Sequence, residues 1–263
     1  MNELGVSSSN YYPLETELAF DKMCETGCRV TEVFLCSKSE TKEKYLTEMR
    51  KKADDNGIKI VSLHPYTSVL ENTFLFSQYK RRFYDTLEEY KRFFEAANIL
   101  GTKIFVIHGA KSFCNIPDEE HCSRFSEFID LGLKYGVQVC QENVVNYLAQ
   151  STEYLKMMSD NIGDKFGIVL DIKQARRAGM DEIELINTLG QHIRHVHLSD
   201  CNEENDCIPP CTGSYDFRKL FTALKENGYE GDYIIELYRH SYGDYDEVKQ
   251  SFLKLNSLLQ SVI

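Results

Sequence analysis

The sequence predicts an α/β protein, a (β/α)₈ or TIM barrel, and three observations lead to that fold class. The chain has 263 residues, close to the ~250 residues of a complete barrel of this type. Short β-branched or aromatic runs alternate eight times with longer amphipathic stretches, which is the pattern of βα units and a parallel sheet. No linker rich in Pro or Gly divides the chain. We therefore expect one barrel domain over residues 1–263.

The eight predicted strands follow from their β-branched and aromatic residues, each run being followed by a polar segment. They are residues 3–8, 31–35, 59–63, 103–108, 138–142, 167–171, 194–198 and 232–236. The clearest helix is residues 78–100, where Tyr79, Phe83, Leu87 and Tyr90 recur at helical spacing. An open doubly wound sheet is disfavoured because the chain lacks a G-x-G-x-x-G or Walker pattern.

Composition limits the classes of partner. Hydrophobic residues make up 42% of the chain, enough for a large core, and the formal net charge is -11, from 30 basic and 41 acidic side chains. Binding to nucleic acid is disfavoured because it needs clustered cations. No apolar run approaches the ~20 residues of a membrane span, and the first residues show no signal peptide. We expect a cytoplasmic protein without membrane or nucleic-acid partners, and a homo-oligomer remains open. The nine scattered cysteines are expected to be reduced thiols.

The carboxyl ends of the strands carry the chemistry, since active sites of such barrels lie there. Each of the last six predicted strands ends within a residue or two of an acid or a histidine. Acidic residues number 41 and histidines 7 in the whole chain, so such a run is rare by chance. The six residues are His64, His108, Glu142, Asp171, His197 and Glu236.

Three carboxylates converging at one barrel mouth would cost several kcal/mol per ion if they were buried without a cation. A divalent metal ion removes that cost. Three carboxylates and one imidazole suit Mn²⁺ best, with Mg²⁺, Co²⁺ or Zn²⁺ as alternatives. Taken singly, Glu142 or Glu236 could instead pair with Arg or Lys.

The histidines outside this set have plainer interpretations. Period-two alternation places His195 on the same side of its strand as His197 and one layer below it, in the core or behind the site. His121, His192 and His240 belong to no motif, so we expect them on the surface or in helices.

Several motifs resemble those of the xylose-isomerase-like TIM-barrel superfamily, which contains sugar phosphate isomerases and epimerases and also metal-dependent apurinic-site endonucleases. The resemblance covers nearly the whole chain. The motifs that carry it are Glu142-Asn143, Val169-Leu170-Asp171, His195-Val196-His197-Leu198-Ser199-Asp200, Gly213-Ser214-Tyr215-Asp216-Phe217, and Gly228-Tyr229-x-Gly231 leading to Glu236.

The resemblance implies that Glu142, Asp171, His197 and Glu236 hold one divalent metal ion and that the two glutamates also exchange the substrate proton. The implied activity is a metal-dependent sugar or sugar-phosphate isomerase or epimerase, which transfers a proton alpha to a carbonyl through an enediolate. Epimerisation needs acid/base groups on both faces of the substrate, and two glutamates on different strands supply them.

The sequence departs from the motifs of the family at two places, and these departures bear on which activity of the family it has. A histidine is common three residues after the sixth-strand aspartate, where this chain has Gln174. The loop after the seventh strand, residues 205–211, lacks the Asp-x-His pair of the endonucleases. Apurinic-site cleavage is therefore the least favoured activity, although His64 and His108 match two of its ligand positions.

Substrate contacts are predicted from side chains that follow the strands. They are His64, His108, Lys173, Gln174, Arg239 and Tyr66, the last in a connection long enough to act as a lid. His64 and His108 could equally be structural, and the cations could be solvated. The alternatives are an inosose-type dehydratase, a hydroxypyruvate-type isomerase, and a barrel that binds a sugar without turning it over.

Overall fold

Eight parallel strands close into a barrel in the computed structural model, which describes residues 2–262. Each strand pairs with the next in sequence, and β8 pairs with β1. The predicted (β/α)₈ architecture is confirmed. The strands are β1 (Leu4–Ser7), β2 (Val30–Phe34), β3 (Lys59–His64), β4 (Ile104–Ile107), β5 (Gln138–Glu142), β6 (Ile168–Asp171), β7 (Ile193–Leu198) and β8 (Tyr233–Ile235).

Helices connect the strands and bury their apolar faces against the sheet. The described residues contain α1 (Thr16–Thr26), α2 (Glu43–Asp55), α3 (Glu71–Phe74), α4 (Lys80–Leu100), α5 (Asp118–Lys134), α6 (Thr152–Ile162), α7 (Ile172–Ala178), α8 (Glu182–Leu189), α9 (Phe217–Glu226) and α10 (Tyr245–Gln260). In α4, the predicted stripe is buried at Phe83, Leu87 and Tyr90, but the helix begins at Lys80 rather than at residue 78, and Tyr79 before it is exposed. Gly101 then ends the helix with a φ of 76°, a conformation that costs glycine little.

Inward side chains recur along each strand of the barrel with the two-residue period of a strand. Val106, Cys140 and Val169 form a small apolar cluster of their own. Each stands two residues before His108, Glu142 or Asp171, so the cluster lies directly beneath the carboxyl-terminal mouth. The strands therefore deliver the predicted site residues to a single layer above a packed floor.

Five of the eight predicted strand ends differ from the structure by one residue, and two of these differences leave a predicted site residue just outside its strand. The fourth strand ends at Ile107, one residue early, because the N–H groups of His108 and Gly109 donate to the Glu71 carboxylate. Glu236 follows β8 and still donates its N–H to the carbonyl of Leu198. Both residues thus keep their places at the mouth outside regular strand.

All nine cysteines are free thiols. Among residues 2–262, the helices are each too short or too polar to cross a bilayer.

Candidate metal centre and cavity

Four of the predicted residues converge at the mouth of the barrel. Glu142, Asp171, His197 and Glu236 each offer one ligand atom, and these atoms lie within 4.8 Å of one another. Nδ1 of His197 is 3.7 Å from Oε1 of Glu142, 3.5 Å from Oε2 of Glu236 and 4.0 Å from Oδ2 of Asp171. The geometry brings together the whole predicted ligand set.

The unsatisfied polar atoms of this cluster fit a divalent cation. Nδ1 of His197 is buried and makes no hydrogen bond. Oε2 of Glu142 and Oδ2 of Asp171 are also buried, and their charged contacts are His108 at 3.2 Å and Lys173 at 3.0 Å. A buried polar atom without a partner costs about 1–3 kcal/mol, so a bound cation would satisfy Nδ1 of His197 and would neutralise the two carboxylate oxygens. The three oxygens and one nitrogen suit Mn²⁺ or Zn²⁺.

Glu32 lies below the cluster and orients His197. Its Oε2 is 3.0 Å from Nε2 of His197 and accepts a hydrogen bond from the Ser62 hydroxyl at 2.7 Å. Burial raises the pKa of Glu32, but the charge of His197 and hydrogen bonds from His195 and His197 outweigh burial and hold that pKa well below its ordinary value. The ionised carboxylate can only accept, so Nε2 of His197 donates and Nδ1 faces the cluster.

His195 completes this lower network. It is fully buried, and its Nε2 lies 2.9 Å from the Ser62 hydroxyl and 3.3 Å from Oε2 of Glu32. Its predicted position, one layer below His197, is confirmed by the structure. The role is indirect, because His195 helps to fix the carboxylate that holds His197.

The pKa values of Glu142, Glu236 and His197 are shifted in different ways. Burial raises the pKa of Glu142, but His108 and His197 outweigh it and hold that pKa well below the ordinary value. Burial raises the pKa of Glu236 to about 7, against the opposing charges of Lys173 and His197. Burial lowers the pKa of His197, but Glu32 and Glu236 outweigh it and raise that pKa well above its ordinary value. A metal ion would therefore compete with a proton at Nδ1.

Asp171 is positioned by the junction of β6 and α7. It is the last residue of the strand and the N-cap of the helix, and its Oδ1 accepts from the Gln174 N–H at 2.9 Å. Asn143 fixes the backbone of Asp171, accepting from its N–H at 2.7 Å and donating to its carbonyl at 3.0 Å. Only Oδ2 is left to face the cluster.

Lys173 is the second residue of α7, two residues after Asp171, and its ammonium group is inside the cluster. Nζ lies 3.0 Å from Oδ2 of Asp171 and 2.9 Å from Oε2 of Glu236, and the side chain is only 2% exposed. The nitrogen also lies 4.7 Å from the centre of the Tyr238 ring. The alternative that Lys173 is a solvated surface cation is therefore wrong.

A second group of possible ligands shares Glu142. His64, His108 and Glu142 also place one atom each within 4.8 Å of one another. Nε2 of His108 is 3.2 Å from Oε2 of Glu142. His64 is fully buried with neither ring nitrogen hydrogen bonded, and burial lowers its pKa to about 3, so the ring is neutral.

A cavity of about 360 Å³ opens above the cluster. Of the predicted substrate contacts, His108, Lys173, Gln174 and Arg239 line it. Glu142 and Glu236 also reach its surface. Tyr12 forms part of the wall, and the remaining walls come from residues that sequence reasoning did not select: Ser9, Phe34, Cys36, Leu237, Tyr238 and His240.

Two predicted substrate contacts lie elsewhere. His64 is covered by the ring of Phe34, which stacks on it with centroids 3.9 Å apart. The Tyr66 hydroxyl accepts a hydrogen bond from Arg92 at 2.8 Å, and its ring packs on Phe93. The structure therefore does not bring His64 or Tyr66 to the cavity wall.

The long connection after β3 is held down by Glu71. Oε2 of this buried residue accepts the N–H groups of His108 and Gly109 at 2.8 and 2.7 Å. Burial raises its pKa to about 8. The connection thus ties the end of β4 in place, which argues against the predicted lid.

The other histidines lie in helical segments or on the surface, as expected. His121 is buried in α5 and His192 is buried before β7, whereas His240 is exposed and lines the cavity.

Arg176 and Arg177 hold the loop after β7. Arg176 donates to the backbone carbonyl of Asp206, and Arg177 donates to the Asp206 carboxylate.

Fold and site together define a closed parallel barrel with a buried cluster of side chains that could hold a metal ion at its carboxyl-terminal mouth. Residues 20–258 match the family model described as xylose isomerase-like TIM barrel. The chain belongs to that family.

Relatives and solved structures agree with this membership. An uncharacterized protein of Methanocaldococcus jannaschii is 28% identical over 251 residues, which cover 89% of this chain and 83% of that protein. A D-tagatose 3-epimerase-like protein has the same fold, with a TM-score of 0.82, 23% identity and coverage of 99% of this chain and 98% of its own. The IolI protein crystallised with a zinc atom has a TM-score of 0.82 at 20% identity, covering 99% of both chains.

Proposed function

We propose that this protein is a metal-dependent sugar or sugar-phosphate isomerase or epimerase that moves a proton alpha to a carbonyl through an enediolate. The observation that carries the proposal is the meeting of Glu142 and Glu236 at one histidine. Their carboxylate oxygens lie 3.7 and 3.5 Å from Nδ1 of His197. The epimerase-like and zinc-containing neighbours support the same class of chemistry.

The two glutamates approach from nearly opposite sides of the barrel. Glu142 ends β5 and Glu236 follows β8, three strands further round a ring of eight. A substrate carbon held between them would present one face to each carboxylate. That arrangement suits removal of a proton by one group and its return by the other.

The environments of the two glutamates suit different roles. Glu142 is held ionised by His108 and His197 and is the proton acceptor in our proposal. Glu236, with a pKa of about 7, can carry a proton near neutral pH and is the donor. The reverse reaction exchanges these roles.

Asp171 and His197 complete the ligand set with the two glutamates. A divalent ion bound there, for which we favour Mn²⁺, would polarise the substrate carbonyl and stabilise the charge that develops on its oxygen. Lys173, Gln174, His108 and Arg239 are the proposed polar contacts to substrate oxygens. Phe34, Tyr12 and Tyr238 form an aromatic wall suited to the apolar face of a sugar.

Proton exchange with solvent tests the proposal. The Mn²⁺-loaded protein is incubated with a panel of ketoses and ketose phosphates in deuterated water, and deuterium at the carbon beside the carbonyl is measured by NMR. We expect incorporation with at least one substrate and its loss by ~10²-fold or more in Glu142→Gln and Glu236→Gln. Glu230→Gln, at an exposed position before β8, is the matched control. Binding of a sugar without exchange would instead support a binding barrel.

A dehydratase of inositol-derived ketones is the second candidate. The observation that favours it is the Lys173 ammonium beside Glu236, a pair that could protonate a leaving hydroxyl group. Mass spectrometry of the products separates dehydratase from isomerase activity, because dehydration removes 18 Da and isomerisation leaves the mass unchanged.

Apurinic-site endonuclease activity is the least favoured alternative. Abasic-site DNA incubated with the protein and Mn²⁺ or Zn²⁺ should remain uncut.

A further inference from the structure

Lys173 places a positive charge where the proposed metal site needs its ligands. Its Nζ contacts Oδ2 of Asp171 at 3.0 Å and Oε2 of Glu236 at 2.9 Å. Both oxygens face the cluster that includes Nδ1 of His197. The ammonium group and a divalent ion would therefore share the same two carboxylates.

The hydrogen bonds of Asp171 limit how its carboxylate can bind a cation. Its Oδ1 is engaged with the Gln174 N–H as the cap of α7, which turns Oδ2 toward the cluster. Asn143 fixes the backbone on both sides of the Asp171 Cα, accepting from its N–H and donating to its carbonyl. A metal ligated through Oδ2 of Asp171 must approach the same oxygen as the lysine.

The lysine side chain is built into this position. It is 2% exposed, lies at the first turn of a helix capped by Asp171, and its ammonium group is near the Tyr238 ring. Burying a lysine this completely is unfavourable unless the charge is paired. Asp171 and Glu236 provide the pairing.

We propose that Lys173 is a resident cation of the carboxylate cluster: it holds Asp171 and Glu236 together when no ion is bound, and it lowers the affinity of the cluster for a divalent ion. This inference rests on the metal site of the proposed function. Like charges a few ångströms apart repel strongly even at an effective dielectric constant of about 20. In addition, the ion must take oxygens that the ammonium group already holds.

The number of charges in the cluster explains what the Lys173 ammonium group contributes. The carboxylates of Glu142, Asp171 and Glu236 carry three negative charges when all are ionised. One ammonium and one divalent ion together balance them when His197 is neutral, as a metal ligand must be. Without the ion, the ammonium group still offsets part of their charge. Lys173 thus allows the barrel to fold around three buried carboxylates before the ion arrives.

Metal affinity tests the proposal directly. Chelator-stripped wild-type protein, Lys173→Met and Lys173→Gln are titrated with Mn²⁺, and free Mn²⁺ is followed by its EPR signal. We expect both variants to bind Mn²⁺ roughly tenfold tighter or more than the wild type. Lys111→Met is the matched control, because Lys111 lies over the Tyr147 ring near the same mouth and contacts none of the three carboxylates. Its affinity should equal that of the wild type.

Thermal unfolding provides a second measurement. Without an ion, Lys173→Met should unfold at a lower temperature than the wild type, and Mn²⁺ should raise its Tm by more than it raises that of the wild type. A loss of packing alone would lower the Tm without enlarging the response to Mn²⁺.

The possible failures are distinguishable. Equal or weaker Mn²⁺ binding by both Lys173 variants, with wild-type binding intact, overturns this inference and leaves the proposed function standing. Absence of Mn²⁺ binding in all four proteins overturns the metal site of the proposed function together with the inference.

Discussion

Nε2 of His197 lies 3.0 Å from Oε2 of Glu32, and this contact decides which imidazole nitrogen faces the three carboxylates. Glu32 is fully buried inside the barrel, two residues before Phe34 on the same strand. A residue that never reaches the cavity therefore sets the geometry of one that does.

Replacing Glu32 by Gln should weaken metal binding. The amide can donate as well as accept, so it no longer forces Nε2 of His197 to carry the proton. Loss of such an outer contact typically costs ~10–100-fold in metal affinity. The measurement is the same Mn²⁺ titration. Ser62→Ala, which removes a different donor to the same oxygen, should change the affinity much less. Unchanged affinity in a folded Glu32→Gln protein would show that His197 is oriented by other contacts.

Glu71→Gln should alter how stability depends on pH. The pKa of Glu71 in the folded protein is about 8, above the ordinary value of 4.5, so the folded state holds a proton that the unfolded state releases. The wild type should therefore lose unfolding free energy as the pH rises from about 4.5 to 8, by at most ~1.4 kcal/mol per pH unit from this group.

Gln at position 71 does not titrate and keeps an acceptor for the two N–H groups. Its advantage over the wild type should grow across that range and become constant above about pH 8. Urea unfolding at several pH values measures both proteins, with exposed Glu203→Gln as control. Parallel pH profiles for wild type and Glu71→Gln would contradict the shifted pKa.

Asp200→Ala should destabilise the barrel strongly. The buried carboxylate accepts N–H groups from Cys201, Gly213 and Tyr215 at 2.7, 2.9 and 2.9 Å, which closes the loop after β7. Hydrogen bonds to a charged group are worth ~1.5–3 kcal/mol each, so we expect a loss of about 3 kcal/mol or more. Urea unfolding provides the value. Glu203→Ala, exposed in the same loop, should stay within about 0.5 kcal/mol of the wild type.

Tyr66 and Tyr12 should respond differently to substitution. The Tyr66 hydroxyl is bound to Arg92, away from the cavity, whereas Tyr12 lines the cavity and is 61% exposed. Once a substrate is known, Tyr12→Ala should raise KM. Tyr66→Phe should leave KM unchanged and cost about 1 kcal/mol of stability. A higher KM for Tyr66→Phe would mean that this part of the connection reaches the substrate after all.

Strand order and the ligand set could be predicted because both depend on short, local patterns. Apolar runs mark the eight strands, and the polar residue after a run must lie at the mouth of a parallel barrel. The predicted range 138–142 coincides with β5, and Glu142, Asp171, His197 and Glu236 meet as expected.

Glu32 was missed although it interrupts the apolar strand Val30–Phe34. An acid inside such a run is a signal of a buried polar network, but the rule applied to strand ends does not reach the middle of a strand. Its partners Ser62 and His195 lie on β3 and β7, far away in sequence. Only the closure of the barrel brings them together.

Contacts at the rim could not be predicted because they depend on the path of each connection. Tyr66 directly follows the end of β3, yet its hydroxyl points to Arg92 on α4. His240 belongs to no motif, yet it lines the cavity and stacks on Tyr238. The sequence does not indicate whether the Lys173 side chain points into solvent or into the barrel. In the structure it points inward, because its ammonium group pairs with Asp171 and Glu236.

The direct passage from β6 into α7 at Asp171 has a consequence for how such sites change over time. One helical turn without an intervening loop carries a proposed metal ligand, the lysine beside it and the amide of Gln174. Their spacing is fixed by helix geometry, so a substitution at one position changes charge or reach while leaving the other two in register. We therefore expect substitutions within residues 171–174 to change the ion preference or the substrate of such a site while the strands of the barrel stay unchanged.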